Sequence, residues 1–250
     1  MVLNLKNKIK NEVVIYWSYG DENQIRAEKP CPVIATYLKD KDLNSYQYAR
    51  CPSFIEIYNN TFGLKSLFSW DITFNNNNEW ADDNPLINPN NSTPQDFLNK
   101  QLFIRDLTTR TVSITIPYFF LTREDSLEME YMTSGMENNS FNETAILING
   151  KLDIGQYART LDCAWHARKN EFKMDVGDIY AYVKFRTDKK IIFKQFLWNN
   201  DIQEAVHGLS VQRGTQEAFR NFKPLKAYYK EQQRMKVKER TLKLIEENLL

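Results

Sequence analysis

Three cysteines and two histidines are the residues in this 250-residue chain with the sharpest chemistry, and their spacing decides what they can do. Cys163-Ala164-Trp165-His166 has the separation of a metal-ligand pair, and Cys31, Cys51 and His207 could complete four ligands. Thr160 to Ala167 reads as a strand, however, and on a strand positions i and i+3 point to opposite faces. Cys163 and His166 therefore cannot share one ion without a bend, and the same objection meets a Cys-His nucleophile and base. An iron oxygenase of the cupin kind needs a His-x-Asp/Glu pair and a second histidine, and Arg168 stands where the carboxylate belongs. Glu128 and Glu130 share a strand face, but they lie on the polar side of an alternation that solvent exposure already explains. There is no Walker loop and no glycine-rich dinucleotide turn. No catalytic residue, metal ligand or cofactor is assigned on these grounds, and a non-enzymatic protein is the expectation.

Two stretches carry binding chemistry instead. Tyr180-Ala181-Tyr182-Val183-Lys184-Phe185 coincides with the last six positions of the RNA-recognition octamer, in which alternate aromatics on an open sheet face stack on bases. On that pattern Tyr180, Tyr182, Lys184 and Arg186 share one face. Asp178 and Ile179 depart from it, Ile146-Leu147-Ile148-Asn149-Gly150 lacks the partner aromatic, and an extra strand, Ile191 to Leu197, precedes the next helix, so a plain structural strand competes with it. The second stretch runs from Lys223 to Lys243, with eight cations against Glu231 and Glu239, a net +6 that leaves about −5 on the rest of a chain of net charge +1. Lys226, Lys230 and Arg234 are its candidates for neutralising phosphates. Leu225, Tyr228, Tyr229, Met235, Leu242, Ile245 and Leu249 recur mostly at helical spacing there, so the helix is expected to dock an apolar stripe on the body, a protein partner or a second copy.

The elements that must hold these residues read mainly as strands. Glu12 to Ser18 is a short buried strand in mid-sheet. Cys51 to Phe74 is dense in apolar residues and reads as core: a helix started by Pro52 and running to Tyr58, a turn closed by Gly63, a strand from Leu64 to Phe74, and Cys51 as a small buried hydrophobe. Asn75 to Lys100 is an asparagine-rich loop, long enough that an enzyme pocket beside it is a third functional reading. After it come period-2 strands at Thr111–Leu121, Leu127–Tyr131, Thr144–Ile148 and Thr160–Ala167, then hairpin upon hairpin from Phe172 to Leu197. A helix at Asp201–Leu209 is capped by Asn200 or Asp201, and one helix runs from Pro224. The fold class is mainly β, an antiparallel sandwich or jelly-roll-like barrel over residues 1–222, with a C-terminal basic amphipathic helix as an appendage at 223–250. The odd, widely spaced cysteines fit reduced thiols in a cytosol, and no apolar run approaches the length of a membrane span or a signal peptide core.

The order of short motifs is similar to that of a family of uncharacterised proteins of tailed phages, many from marine cyanobacterial hosts. The likeness rests on Lys29-Pro30, Cys51-Pro52-Ser53-Phe54 with Tyr58 and Asn60-Thr61-Phe62, and the Gly177-Asp178 turn leading to Lys194-Gln195-Phe196. Tyr37-Leu38-Lys39 departs from it by keeping one aromatic where the family has two. The resemblance implies a viral origin and a β-rich body, and it transfers no catalytic residue. The expectation is a phage-encoded protein acting by protein-protein contact, in the virion or on a host target. It would be made in the host cytoplasm, and no membrane is involved. The alternative is a single-stranded nucleic-acid binder using Tyr180, Tyr182, Lys184, Arg186 and the basic helix.

Overall fold

The computed structural model describes residues 11–20, 27–34, 51–73, 86–87, 102–106, 110–169, 171–207 and 224–250. The expected asparagine-rich loop lies outside the described residues except at Leu86–Ile87. The strands, in chain order, are β1 (Glu12–Tyr19), β2 (Cys31–Pro32), β3 (Thr61–Lys65), β4 (Trp70–Thr73), β5 (Leu86–Ile87), β6 (Leu102–Asp106), β7 (Thr111–Thr122) and β8 (Glu128–Met132). They continue with β9 (Ala145–Ile148), β10 (Gly150–Asp153), β11 (Thr160–Ala167), β12 (Glu171–Met174), β13 (Ile179–Phe185) and β14 (Lys190–Gln195). The helices are α1 (Pro52–Tyr58), α2 (Ser140–Thr144), α3 (Asn200–His207), α4 (Leu225–Arg234) and α5 (Val237–Glu247).

The first sheet has the order β14-β1-β7-β11-β9 with β6 also on β7, the second β10-β8-β13-β3-β2, and a small third β12-β4-β5. Neither large sheet closes into a barrel among the described residues. Strand β7 is long enough to hold two neighbours on one edge: its start pairs with β6 and its end with β1, while β11 runs along the other edge. The first sheet is not wholly antiparallel, because β1 and β14 pair in parallel, with Glu12 opposite Lys190 and Trp17 opposite Gln195.

The expected strands from Glu12 onward are present, but the expected run of hairpins is not. Strands β12, β13 and β14 lie in three different sheets, and β9 and β10 lie in two. Local alternation makes each segment a strand, whereas the partner is chosen by which buried face must be covered.

One core lies between the large sheets. Val13, Ile15, Trp17, Tyr118, Phe120, Cys163 and Trp165 meet Leu64, Met129, Ala181, Val183 and Phe185 there. The other face of the first sheet builds a second core, with Tyr16, Phe119 and Leu121 against Phe196, Trp198, Ile202, Val206, Val237 and Ile245. Strand β1 is therefore covered on both faces, which is why it reads as a nearly continuous apolar run. The single C-terminal helix of the sequence reading is two helices, broken at Met235–Lys236, where Lys236 takes φ 51°. The break turns Val237, Thr241 and Ile245 onto the sheet, which a straight continuation of α4 would not do. Helix α3 begins after Asn199, whose Oδ1 accepts the Ile202 N–H at 2.9 Å, one or two residues before the expected caps.

The stretch from Cys51 is split. Helix α1 starts at Pro52 and ends at Tyr58, but it buries no residue, and Cys51 is exposed rather than buried. Asn60 makes the turn at φ 52°, and its Nδ2 donates to Thr187 O at 2.7 Å and Lys189 O at 3.0 Å, so the turn is not closed by Gly63. Gly63 lies inside β3, where a Cβ would come within 2.9 Å of Ile179 and 3.1 Å of Cys31. The expected strand from Leu64 is interrupted after Lys65, where Ser66 O accepts from Gly177 N at 2.8 Å, and resumes as β4 in the third sheet. No helix among the described residues is long and apolar enough to cross a membrane.

Candidate interaction surface

Strand β13 does not offer an open aromatic face. Its register with β3 shifts between Ile179 and Ala181, and this irregularity turns Tyr180 into the main core, edge-on to Trp165 at 6.2 Å. Burial pushes the Tyr180 phenol well above its ordinary pKa. Tyr182 and Lys184 do point outward, but α1 lies over them, leaving Tyr182 0% and Lys184 7% exposed. The Tyr182 hydroxyl bonds to Glu137 Oε1 at 2.7 Å, and Tyr58 packs edge-on to its ring at 6.0 Å. Lys184 Nζ donates to the carbonyls of Glu56 and Ile57, the last turn of α1, where a cation is favoured by the exposed carbonyl dipoles. Desolvation holds its pKa below the usual lysine value. Arg186 alone is exposed, paired with Glu130 at 2.7 Å. The expected shared face of Tyr180, Tyr182, Lys184 and Arg186 is thus corrected: one residue is inside the core, two lie under a helix and one is ion-paired.

The other candidates for chemistry separate as well. Cys163 is fully buried, with its thiol pushed well above the usual pKa by desolvation, while His166 is exposed on the opposite face of β11. Glu128 pairs with Lys151 at 2.8 Å, an exposed pair that solvent screens. The thiol of Cys51 is exposed, and the backbone N–H groups of Phe54 and Ser53 lower its pKa. No three His, Cys, Asp or Glu residues among those described are grouped to hold a metal ion.

The three basic candidates on α4 are brought together. Lys226, Lys230 and Arg234 follow one another at four-residue steps and all are exposed. None forms an ion pair among the described residues, whereas eight pairs are formed elsewhere on that surface. Like charges at this spacing cost an isolated helix roughly 0.2–0.5 kcal/mol per pair, so the row is held against a penalty of about 0.4–1 kcal/mol. Lys236 is also exposed at the break after α4, and on α5 the exposed Arg240 and Lys243 are interleaved with Glu239 and Glu247.

The inner side of α4 explains why the row stays in place. Buried Gln232 clamps Ala158, accepting its N–H at 2.8 Å and donating to its carbonyl at 3.0 Å. The hydroxyl of Tyr229 accepts the Asp153 N–H at 2.9 Å, and Tyr228 and Tyr229 flank the ring of Tyr157. Cutting the clamp would leave a buried peptide group unsatisfied, at about 1–3 kcal/mol. Sequence reading missed it because a glutamine inside a charged helix looks like solvated surface.

Beside the row opens a cleft of about 180 Å³ lined by Asp125, Gly155, Gln156, Gln233, Lys238 and Glu239. Gly155 sits where a Cβ would strike Glu124 O at 2.6 Å, so the two loops that form the cleft meet at van der Waals contact. The carboxylate of Asp153 ties them together, accepting from Leu127 N and Gly155 N at 2.9 Å and from Gln156 Nε2 at 2.7 Å. Lys238 Nζ reaches the carbonyls of Arg123 at 3.3 Å and Glu124 at 2.7 Å, and Arg123 pairs with Glu246. No protein-family model matches the chain, and no curated protein matches it.

Proposed function

We propose that this is a non-enzymatic binding protein whose contact surface is the outer side of α4 and the start of α5. The observation that carries this reading is the rigid row Lys226, Lys230 and Arg234, exposed, of one sign and without an ion pair among the described residues. Val237 and Ile245 of α5 are already covered by the first sheet, while Leu225, Met235 and Leu249 of the expected apolar stripe stay exposed, so a partner meeting the outer side of α4 meets the cations with Leu225 and Met235 at its two ends. The two-sheet body then acts as the scaffold that holds this surface. The motif order shared with tailed-phage proteins supports a place in a virion or on a host target for this contact. The test compares the full chain with Lys226→Glu, Lys230→Glu and Arg234→Glu combined, by crosslinking in extracts of the producing cell. Species joined to the original chain but lost from a variant with an unchanged melting temperature support the reading. An identical crosslinked set from both proteins overturns it.

A further inference from the structure

Resting on that contact surface, we propose that its partner is a single-stranded nucleic acid, with the backbone along Lys226, Lys230 and Arg234 and an unstacked base seated in the neighbouring cleft.

A four-residue helical step rises about 6 Å and turns about 40°, so the cations on α4 form a row about 12 Å long that winds slowly round the helix. An even line of one sign suits a polymer that carries one charge per unit, whereas carboxylates on a folded protein are unevenly placed. The row is fixed before any partner arrives, by the Gln232 clamp on Ala158 and the Tyr229 bond to Asp153, which lowers the ordering cost of binding. A bilayer is the poorer partner. A basic helix on a membrane buries a continuous apolar face among the headgroups, and here Val237 and Ile245 of α5 lie in the second core and Tyr228 and Tyr229 of α4 face Tyr157, while the exposed Leu225 and Met235 stand ten residues apart and form no such face.

The cleft is the second, independent feature. Its volume of about 180 Å³ is below the roughly 300–1,000 Å³ of drug-sized sites and equals about six waters, room for one ring system. Gln233 lines it from α4, three residues after Lys230 and so next to it on the helix surface, and a base can enter while its phosphate stays on the row. Gln156 is oriented by its bond to Asp153, and the Lys238 ammonium is already held by two carbonyls. What remains for a ligand is the carboxylates of Asp125 and Glu239, the amide oxygen of Gln156 and both polar atoms of Gln233, a lining rich in acceptors. Carboxylates accept from the exocyclic amino group of cytosine, and glutamine pairs with adenine through both of its polar atoms. Unpaired thymine and uracil offer a single N3–H between two carbonyl oxygens, which carboxylates face less well than an exocyclic amino group, so the lining favours bases that carry an amino group. Only an unpaired base can be offered to it, which selects single strands over duplex.

Fluorescence anisotropy of the full chain with labelled oligo-dC, oligo-dA and oligo-dT, and with a duplex, tests this over a salt series. Each neutralised phosphate of a single strand contributes about 0.7 to the salt slope, so three or four contacts give a log–log slope of roughly −2 to −3. Each of Lys226→Gln, Lys230→Gln and Arg234→Gln should flatten it by about 0.7. Oligo-dC and oligo-dA should bind more tightly than oligo-dT, with the duplex weakest. Gln233→Ala with Asp125→Asn should shrink the base ranking and leave the slope unchanged. No binding at low salt, equal or tighter binding of duplex, an absent base ranking, a slope indifferent to the row, or equal binding to phosphatidylserine vesicles overturns the inference. If nucleic acid fails while row-dependent crosslinking to a protein persists, this inference falls and the contact surface stands. If both fail, both fall.

Discussion

Replacing Ile245 by alanine tests whether the C-terminal helices belong to the fold or merely accompany it. Ile245 is fully buried in the second core, among Phe119, Leu121, Phe196, Trp198 and Val206. The change deletes three carbons, about 2.4 kcal/mol at roughly 0.8 kcal/mol per buried methylene, and the unfilled cavity raises the cost to about 3–4 kcal/mol. For a chain of this size 1 kcal/mol moves the midpoint by roughly 2–4 °C, so a fall of about 6–16 °C is expected. Thermal and urea melts followed by tryptophan fluorescence read it, since Trp198 sits in the same cluster. Lys243→Ala, exposed on the same helix, is the control and should change stability by less than about 0.5 kcal/mol. If Ile245→Ala costs under about 1 kcal/mol with an unchanged denaturant slope, α5 is not docked as described.

Lys184→Met removes the donor to the carbonyls of Glu56 and Ile57, at about 1–3 kcal/mol, and should speed amide exchange in α1 while β13 stays protected. Unchanged exchange in α1 would show that the ammonium does not hold the helix. Burial raises the pKa of Tyr118, Tyr180 and Tyr131, the last to about 12 from an ordinary 10.0. These phenols are neutral in the fold, so the stability they contribute is intact below the ordinary tyrosine range and is lost as pH climbs through it toward about 12. Their tyrosinate absorbance should appear together with the loss of far-ultraviolet dichroism, and ionisation of all 13 tyrosines in a native-like fold would refute the burial. A chromogenic disulfide reagent should modify exposed Cys51 fast, Cys31 slowly because burial raises its thiol pKa, and Cys163 only on unfolding. Equal rates for Cys51 and Cys163 would contradict their placement.

Most strands, the proline-started helix and the separation of Cys163 from His166 were legible in the residues themselves, because backbone propensity and two-residue alternation act over a few neighbours. The row Lys226, Lys230 and Arg234 was legible for the same reason, since helical spacing alone puts it on one face. What tertiary structure decided was which strands pair and which polar residues are covered. A register irregularity beside Ile179 sent Tyr180 inward, and α1 closed over Tyr182 and Lys184, events that depend on segments more than a hundred residues away. The break at Lys236 and the Gln232 clamp likewise have no local signal: each exists because the outer face of the first sheet and the peptide at Ala158 need a partner. Local chemistry determines what a segment can be, and the cost of leaving apolar surface or a buried peptide group uncovered determines what it faces.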